Sequence, residues 1–147
     1  MLHPSDFFGL SLDLLFEKPI TDKGVLTIDG EYKFFNADFN RAAFTDDSGV
    51  FPMFDGNSFS LVGLYLLPQT VGIGQFQPYL RYTGVYPENS SDRDEFEAGL
   101  NYVIAGHNAR ISLFYQYGDL ATKGLNYAPD ASGRDISSVN LAVQLQI

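Results

Sequence analysis

The sequence predicts an all-β chain: an antiparallel up-and-down transmembrane β-barrel segment of about seven strands. Three observations predict it. Apolar and polar residues alternate with period two through seven successive runs. The runs are long and uniform, close to the ~9–11 residues a tilted strand needs to cross a bilayer, where soluble strands usually have about 5–6. Seven of the nine tyrosines fall on the apolar face. Phenol rings suit a bilayer interface, where the hydroxyl meets water and the ring meets hydrocarbon.

Each run divides into two faces. Phe8–Phe16 sets Leu10, Leu12 and Leu14 against Ser11 and Asp13, and Val25–Phe34 sets Leu26, Ile28 and Tyr32 against Thr27, Asp29, Glu31 and Lys33. Phe59–Leu67 is apolar on both faces, because Val62, Leu64 and Leu66 alternate with Leu61, Gly63 and Tyr65; its inward residues are expected to pack under a loop folded into a lumen. Gln75–Tyr86 sets Phe76, Leu80 and Tyr82 against Gln77, Arg81 and Thr83. Phe96–Ile104 sets Leu100 and Tyr102 against Glu97 and Asn101, and Ala109–Tyr117 sets Ile111, Leu113 and Tyr115 against Arg110, Ser112 and Gln116. Val139–Ile147 sets Val139, Leu141, Val143 and Leu145 against Asn140, Gln144 and Gln146. Every charge within the runs lies on the polar face. Aromatics recur near run ends, as two girdles require.

A soluble extracellular sandwich, for example a carbohydrate-binding module, also alternates, with its apolar face in the core. Seven buried phenols would then each need a partner. The connections alternate as well. Lys18–Gly24, Pro68–Gly74 and Ala105–Asn108 are short turns, while Ala37–Ser58, Pro87–Glu95 and Gly118–Ser138 are long and polar. Bacterial barrels keep the short turns in the periplasm.

The 147 residues suit one domain, residues 1–147. A net charge of −9 argues against nucleic-acid binding, which needs clustered Lys and Arg. Without cysteine there is no disulfide and no thiolate metal ligand. No apolar run approaches the ~18 residues of a transmembrane helix, and the first residues carry no signal-peptide pattern. With short turns periplasmic, the first run starts outside, whereas a complete bacterial barrel has both termini in the periplasm. The expectation is a C-terminal portion of a longer barrel, with at least one upward strand missing. The alternation ends on Ile147, which points to a clipped C-terminus too.

Several stretches carry a family resemblance. Leu64-Tyr65-Leu66-Leu67-Pro68, Phe76-Gln77-Pro78-Tyr79-Leu80-Arg81-Tyr82 and Gly99–Arg110 resemble the C-terminal part of the phosphate-selective porin O and P type. Ser138–Ile147 resembles a barrel-terminating strand. The resemblance covers roughly residues 58–147. It implies a barrel of about 16 strands, usually a homotrimer, in the bacterial outer membrane among lipid and lipopolysaccharide. Such a barrel is a water-filled channel for small solutes or ions, with no cofactor.

Candidate channel-lining residues are Asp13, Asp29, Glu31, Lys33, Arg81, Glu97 and Arg110, because rings of charge set ion preference. The bland alternative is cross-strand pairing that keeps the lumen wet. Four acids against three bases depart from the basic ladders of phosphate-selective members. His107 reads as a turn residue, with only His3 besides. Asp46, Asp47, Asp92, Asp94 and Glu95 read as loop acids, either solvated or holding divalent cations among lipopolysaccharide. No triad spacing or phosphate loop suggests catalysis or a metal site. A non-conducting structural or adhesive barrel is the remaining alternative.

Overall fold

The structure is a computed structural model that describes residues 7–37, 55–88, 90–104 and 109–145. The described residues are all-β with one short helix. Its strands are β1 (Phe7–Ile20), β2 (Gly24–Ala37), β3 (Gly56–Leu66), β4 (Thr70–Val71), β5 (Gly74–Pro87), β6 (Arg93–Ile104), β7 (Ala109–Gly118) and β8 (Ile136–Leu145). The helix α1 is Leu120–Lys123. One antiparallel up-and-down sheet runs β1-β2-β3-β5-β6-β7-β8, with β4 paired to β5. Among the described residues no ladder joins β1 to β8.

The seven long strands are the seven expected runs, several of them extended. β1 continues through Glu17, Lys18 and Pro19 to Ile20, opposite Gly24–Thr27 of β2. Pro19 stands one pair before the turn, opposite Val25, where a missing N–H interrupts only the last part of the ladder. The turn shrinks to Thr21-Asp22-Lys23, with Asp22 left-handed at φ 58°. Pro78 lies in a central strand, and the β3–β5 ladder stops at Leu64↔Tyr79, just before it. Pairing resumes in the same register where Leu67 N–H donates to the Phe76 carbonyl at 2.9 Å. The expected turn Pro68–Gly74 carries the small β4 hairpin, turning at Gly72 with φ 66°.

The long connection before β6 is shorter than the charge run suggests. Arg93, Asp94 and Glu95 belong to β6, opposite Val85, Gly84 and Thr83. Placing Asp94 and Glu95 in a loop was therefore incorrect; Glu95 points to the polar face and accepts from Gln116. Val62 and Tyr79 are buried on the inward face of β3 and β5, and Leu64 faces Tyr79 across the ladder. His3, Asp46, Asp47, His107 and Ile147 lie outside the described residues.

Burial is inverted relative to a water-soluble sheet. Leu80, Leu113 and Leu141 are 57 %, 54 % and 71 % exposed, whereas Glu97 and Asn101 are 5 % and 3 % exposed. On β6 and β7 the polar face is the sheltered one at Glu97, Asn101 and Ser112, whereas Asp13, Asp29 and Glu31 on β1 and β2 are exposed. The apolar face is the open one, from β1 through β8.

Tyrosine hydroxyls on the apolar face find partners at both ends of the strands. At the short-turn end Tyr65 donates to the Lys23 carbonyl, and Tyr102 donates to the Val71 carbonyl at 2.5 Å while accepting from Ile73 N–H. At the long-connection end Tyr82 donates to Asp94 at 2.9 Å and Tyr117 to Asp135 at 3.2 Å. Rings gather at the same levels: Phe76 packs on Tyr102, and Phe59 stacks on Tyr86. Phe76 and Tyr82 are separated by about 20 Å of strand. Two aromatic tiers thus flank a band rich in leucine, with Tyr115 and Phe16 inside it in the row of Leu80 and Ala98.

Candidate functional site

The sheltered face is organised by cross-strand rows, since directly opposed residues in a sheet share a face. One row runs Leu15, Asp29, Val62, Arg81, Glu97, Gln116 and Ser138. It crosses the whole sheet and holds three of the expected channel-lining charges.

A polar cleft of about 340 Å³ opens where β5, β6 and β7 meet, lined by Tyr79, Arg81, Glu97, Asn101, Arg110, Ser112 and Gln116, with Leu64, Phe114 and Ala142 at its margins. Glu97 lies at its floor. Tyr79 donates its hydroxyl to Glu97 Oε1 at 2.7 Å. Gln116 donates to Glu97 Oε2 at 2.8 Å. Arg81 Nη1 lies 3.5 Å from Oε1. A sheltered carboxylate needs such partners, because an unpaired buried charge is strongly unfavourable. The pair is asymmetric: the Arg81 side chain is 46 % exposed and that of Glu97 only 7 %. The guanidinium faces the open space and the carboxylate sits beneath it.

Amides knit the rest of the cleft. Ser112 donates to Asn101 at 2.7 Å, and Asn101 donates to Gln77 at 3.1 Å. Gln116 also donates to Glu95 at 3.1 Å and accepts from Asn140 at 3.0 Å. Arg110 donates to Gln144 at 2.7 Å.

Of the seven expected charges, Arg81, Glu97 and Arg110 come together in this cleft. The other four lie on β1 and β2. Lys33 pairs with Glu31 at 2.7 Å on the same strand, both half exposed, and such pairs contribute little stability. Asp13 is opposite Glu31, and Asp29 shares the Arg81 row with Val62 between them. Tyr79 was missed by sequence reasoning. Its signal is Gly99, directly opposite on β6. A Cβ at Gly99 would come within 2.4 Å of the Tyr79 ring. Glycine lets that ring lie flat across β6 and reach Glu97.

The long-connection end forms a second polar region. Arg93, 1 % exposed, donates to the Gly124 carbonyl, to Ser90 Oγ and to the Ser91 carbonyl, and its guanidinium lies 4.6 Å from the Tyr127 ring centroid. Ser90 and Ser91 donate to the carbonyls of Ala128 and Ala131. Burial pushes the Tyr127 phenol up, and the Arg93 guanidinium opposes this. Asp94, Asp119 and Asp135 bring carboxylate oxygens within 4.8 Å of one another. Burial alone would raise the Asp119 carboxyl, but Lys123 and the Asp94 N–H hold it below the usual carboxylate value. Tyr82, Lys123 and Tyr117 already bond one acid each of this group.

No family model, curated protein or solved structure matches the chain.

Proposed function

We propose that this sheet is part of the wall of a bacterial outer-membrane porin, a water-filled β-barrel through which small hydrophilic solutes or ions diffuse passively. The observation that carries the reading is the contrast between the two faces across β5, β6 and β7: Glu97, Asn101 and Ser112 are sheltered, while Leu80, Leu100 and Leu113 on the other face are open. In a sandwich the assignment would be opposite. Lipid tolerates an exposed leucine, valine and phenylalanine surface, and the polar face suits a lumen.

Strand direction supports a larger barrel. β1 and β8 are the first and last of seven antiparallel long strands, so they run the same way. Joined directly they would make a parallel seam. An antiparallel closure takes an odd number of further strands. Both edges need such partners, because lipid leaves no water for unpaired N–H and C=O groups. On this reading the Tyr65 and Tyr102 tier faces the periplasm, and the tier of Tyr82 and Tyr117 faces the cell exterior, among lipopolysaccharide headgroups.

The test is electrical. The protein, extracted in detergent from the membrane of cells that express it and added to a planar bilayer, gives discrete conductance steps in KCl. Insertion without steps identifies a non-conducting structural barrel. A folded monomer in buffer without detergent identifies a soluble module. Either outcome refutes the porin reading.

A further inference from the structure

We propose that Glu97 is a specificity-determining residue of this wall: a sheltered counter-charge, positioned by Tyr79 and Gln116, that cancels Arg81 and keeps the channel weakly ion-selective. The inference rests on the channel reading above and concerns what the wall presents to a passing ion.

Three observations carry it. First, Arg81 and Glu97 are directly opposed across the β5–β6 ladder, so the backbone fixes their register. Second, exposure is divided unequally. A passing solute meets the half-exposed guanidinium of Arg81, while the carboxylate lies beneath it. Third, both carboxylate oxygens are held by groups other than Arg81: Oε1 by the Tyr79 hydroxyl and Oε2 by the Gln116 amide. Glu97 therefore stays in place when Arg81 moves. Tyr79 is a positioning residue, and it reaches Glu97 only because Gly99 leaves room for its ring.

The consequence is a compensated charge. With Glu97 in place, Arg81 offers a nearly neutral hydrogen-bonding surface. Without Glu97 it is a cation opposed, among the described residues, only by the neighbouring Glu95, at the edge of the cleft and on the same side as Arg110. A unit charge about 7 Å from an ion in water changes its energy by about one thermal unit, about threefold for each ion and in opposite directions for cation and anion, so about sevenfold in their permeability ratio.

The experiment measures the reversal potential of single channels across a KCl gradient, with the protein prepared as above. Glu97→Gln keeps an acceptor for Tyr79 and is expected to shift the permeability ratio about sevenfold toward chloride. Arg81→Gln is expected to shift it about sevenfold toward potassium. The double variant returns to the unmodified ratio, and Glu97→Asp, which keeps the charge, stays close to it. Opposite shifts that cancel are a signature that a purely structural role does not produce. Single variants that leave the ratio unchanged, or that both move it in one direction, overturn the proposal. If Glu97→Gln does not fold, Arg81→Gln and Glu97→Asp still decide it. An unmodified protein that inserts but carries no current instead removes the channel reading on which the inference stands.

Discussion

Leu113 provides a sharp test of which solvent meets the apolar face. It is near the middle of β7, opposite Leu100 on β6 and Leu141 on β8. It is about 13 Å of strand from the start of β7, at Ala109, so it falls between the two aromatic tiers. Leu113 is 54 % exposed. If that exposure is to water, Leu113→Arg changes stability by no more than about 0.5 kcal/mol. If it is to hydrocarbon at mid-depth, the arginine costs about 2–4 kcal/mol. Ser132→Arg, in the exposed connection before β8, is the control and is expected to stay within about 0.5 kcal/mol. The assay is equilibrium urea unfolding from phospholipid vesicles, followed by circular dichroism. A separation of about 2 kcal/mol or more between the variants supports lipid contact. Equal stability of the two variants would refute the reasoning.

Three further outcomes follow from the polar regions. Gly99→Ala forces the Tyr79 ring off β6 and breaks its bond to Glu97. A cost of about 2–4 kcal/mol in urea unfolding is expected, and a neutral result would show that the ring position is unimportant. Arg93→Met removes three hydrogen bonds and the contact with Tyr127. Limited proteolysis within residues 119–135 is expected to accelerate while the sheet stays folded; unchanged cleavage would contradict the clasp. The Asp119 carboxyl is held low by Lys123 and the Asp94 N–H, so its stabilisation is fully present above the ordinary value of 3.8 and is lost as pH falls through the lower folded value. Carbon-detected NMR titration of Asp119 is expected to give a midpoint below 3.8, and a midpoint at or above that value would contradict the contact.

The sheet was largely legible in the sequence because period two is a strong signal over long runs. The faces of Leu10–Phe16, Phe76–Tyr86 and Ala109–Tyr117 could be assigned residue by residue. Strand ends were less legible. Glu17, Lys18 and Pro19 have turn composition, yet the ladder to β2 continues through them to Ile20↔Gly24. Asp94 and Glu95 look like a loop acid run, yet the ladder to Thr83 and Gly84 continues through them. The cleft was half visible. Arg81, Glu97 and Arg110 could be named from alternation alone, but their convergence depends on register, which alternation does not supply. Alternation places Tyr79 on the polar face with Gln77 and Arg81, but only its pairing with Gly99, distant in sequence, shows that its ring has room to lie across β6 and reach Glu97.

The central claim is that the apolar face meets lipid and the polar face meets water. Leu80 and Arg81 are neighbours on β5, both exposed, and point to opposite faces. The chain has no cysteine, so Leu80→Cys and Arg81→Cys each carry a single thiol. In native membranes a charged, membrane-impermeant maleimide is expected to label Arg81→Cys and to leave Leu80→Cys unmodified until the protein is unfolded. Equal labelling of the two, or faster labelling of Leu80→Cys, would contradict the account.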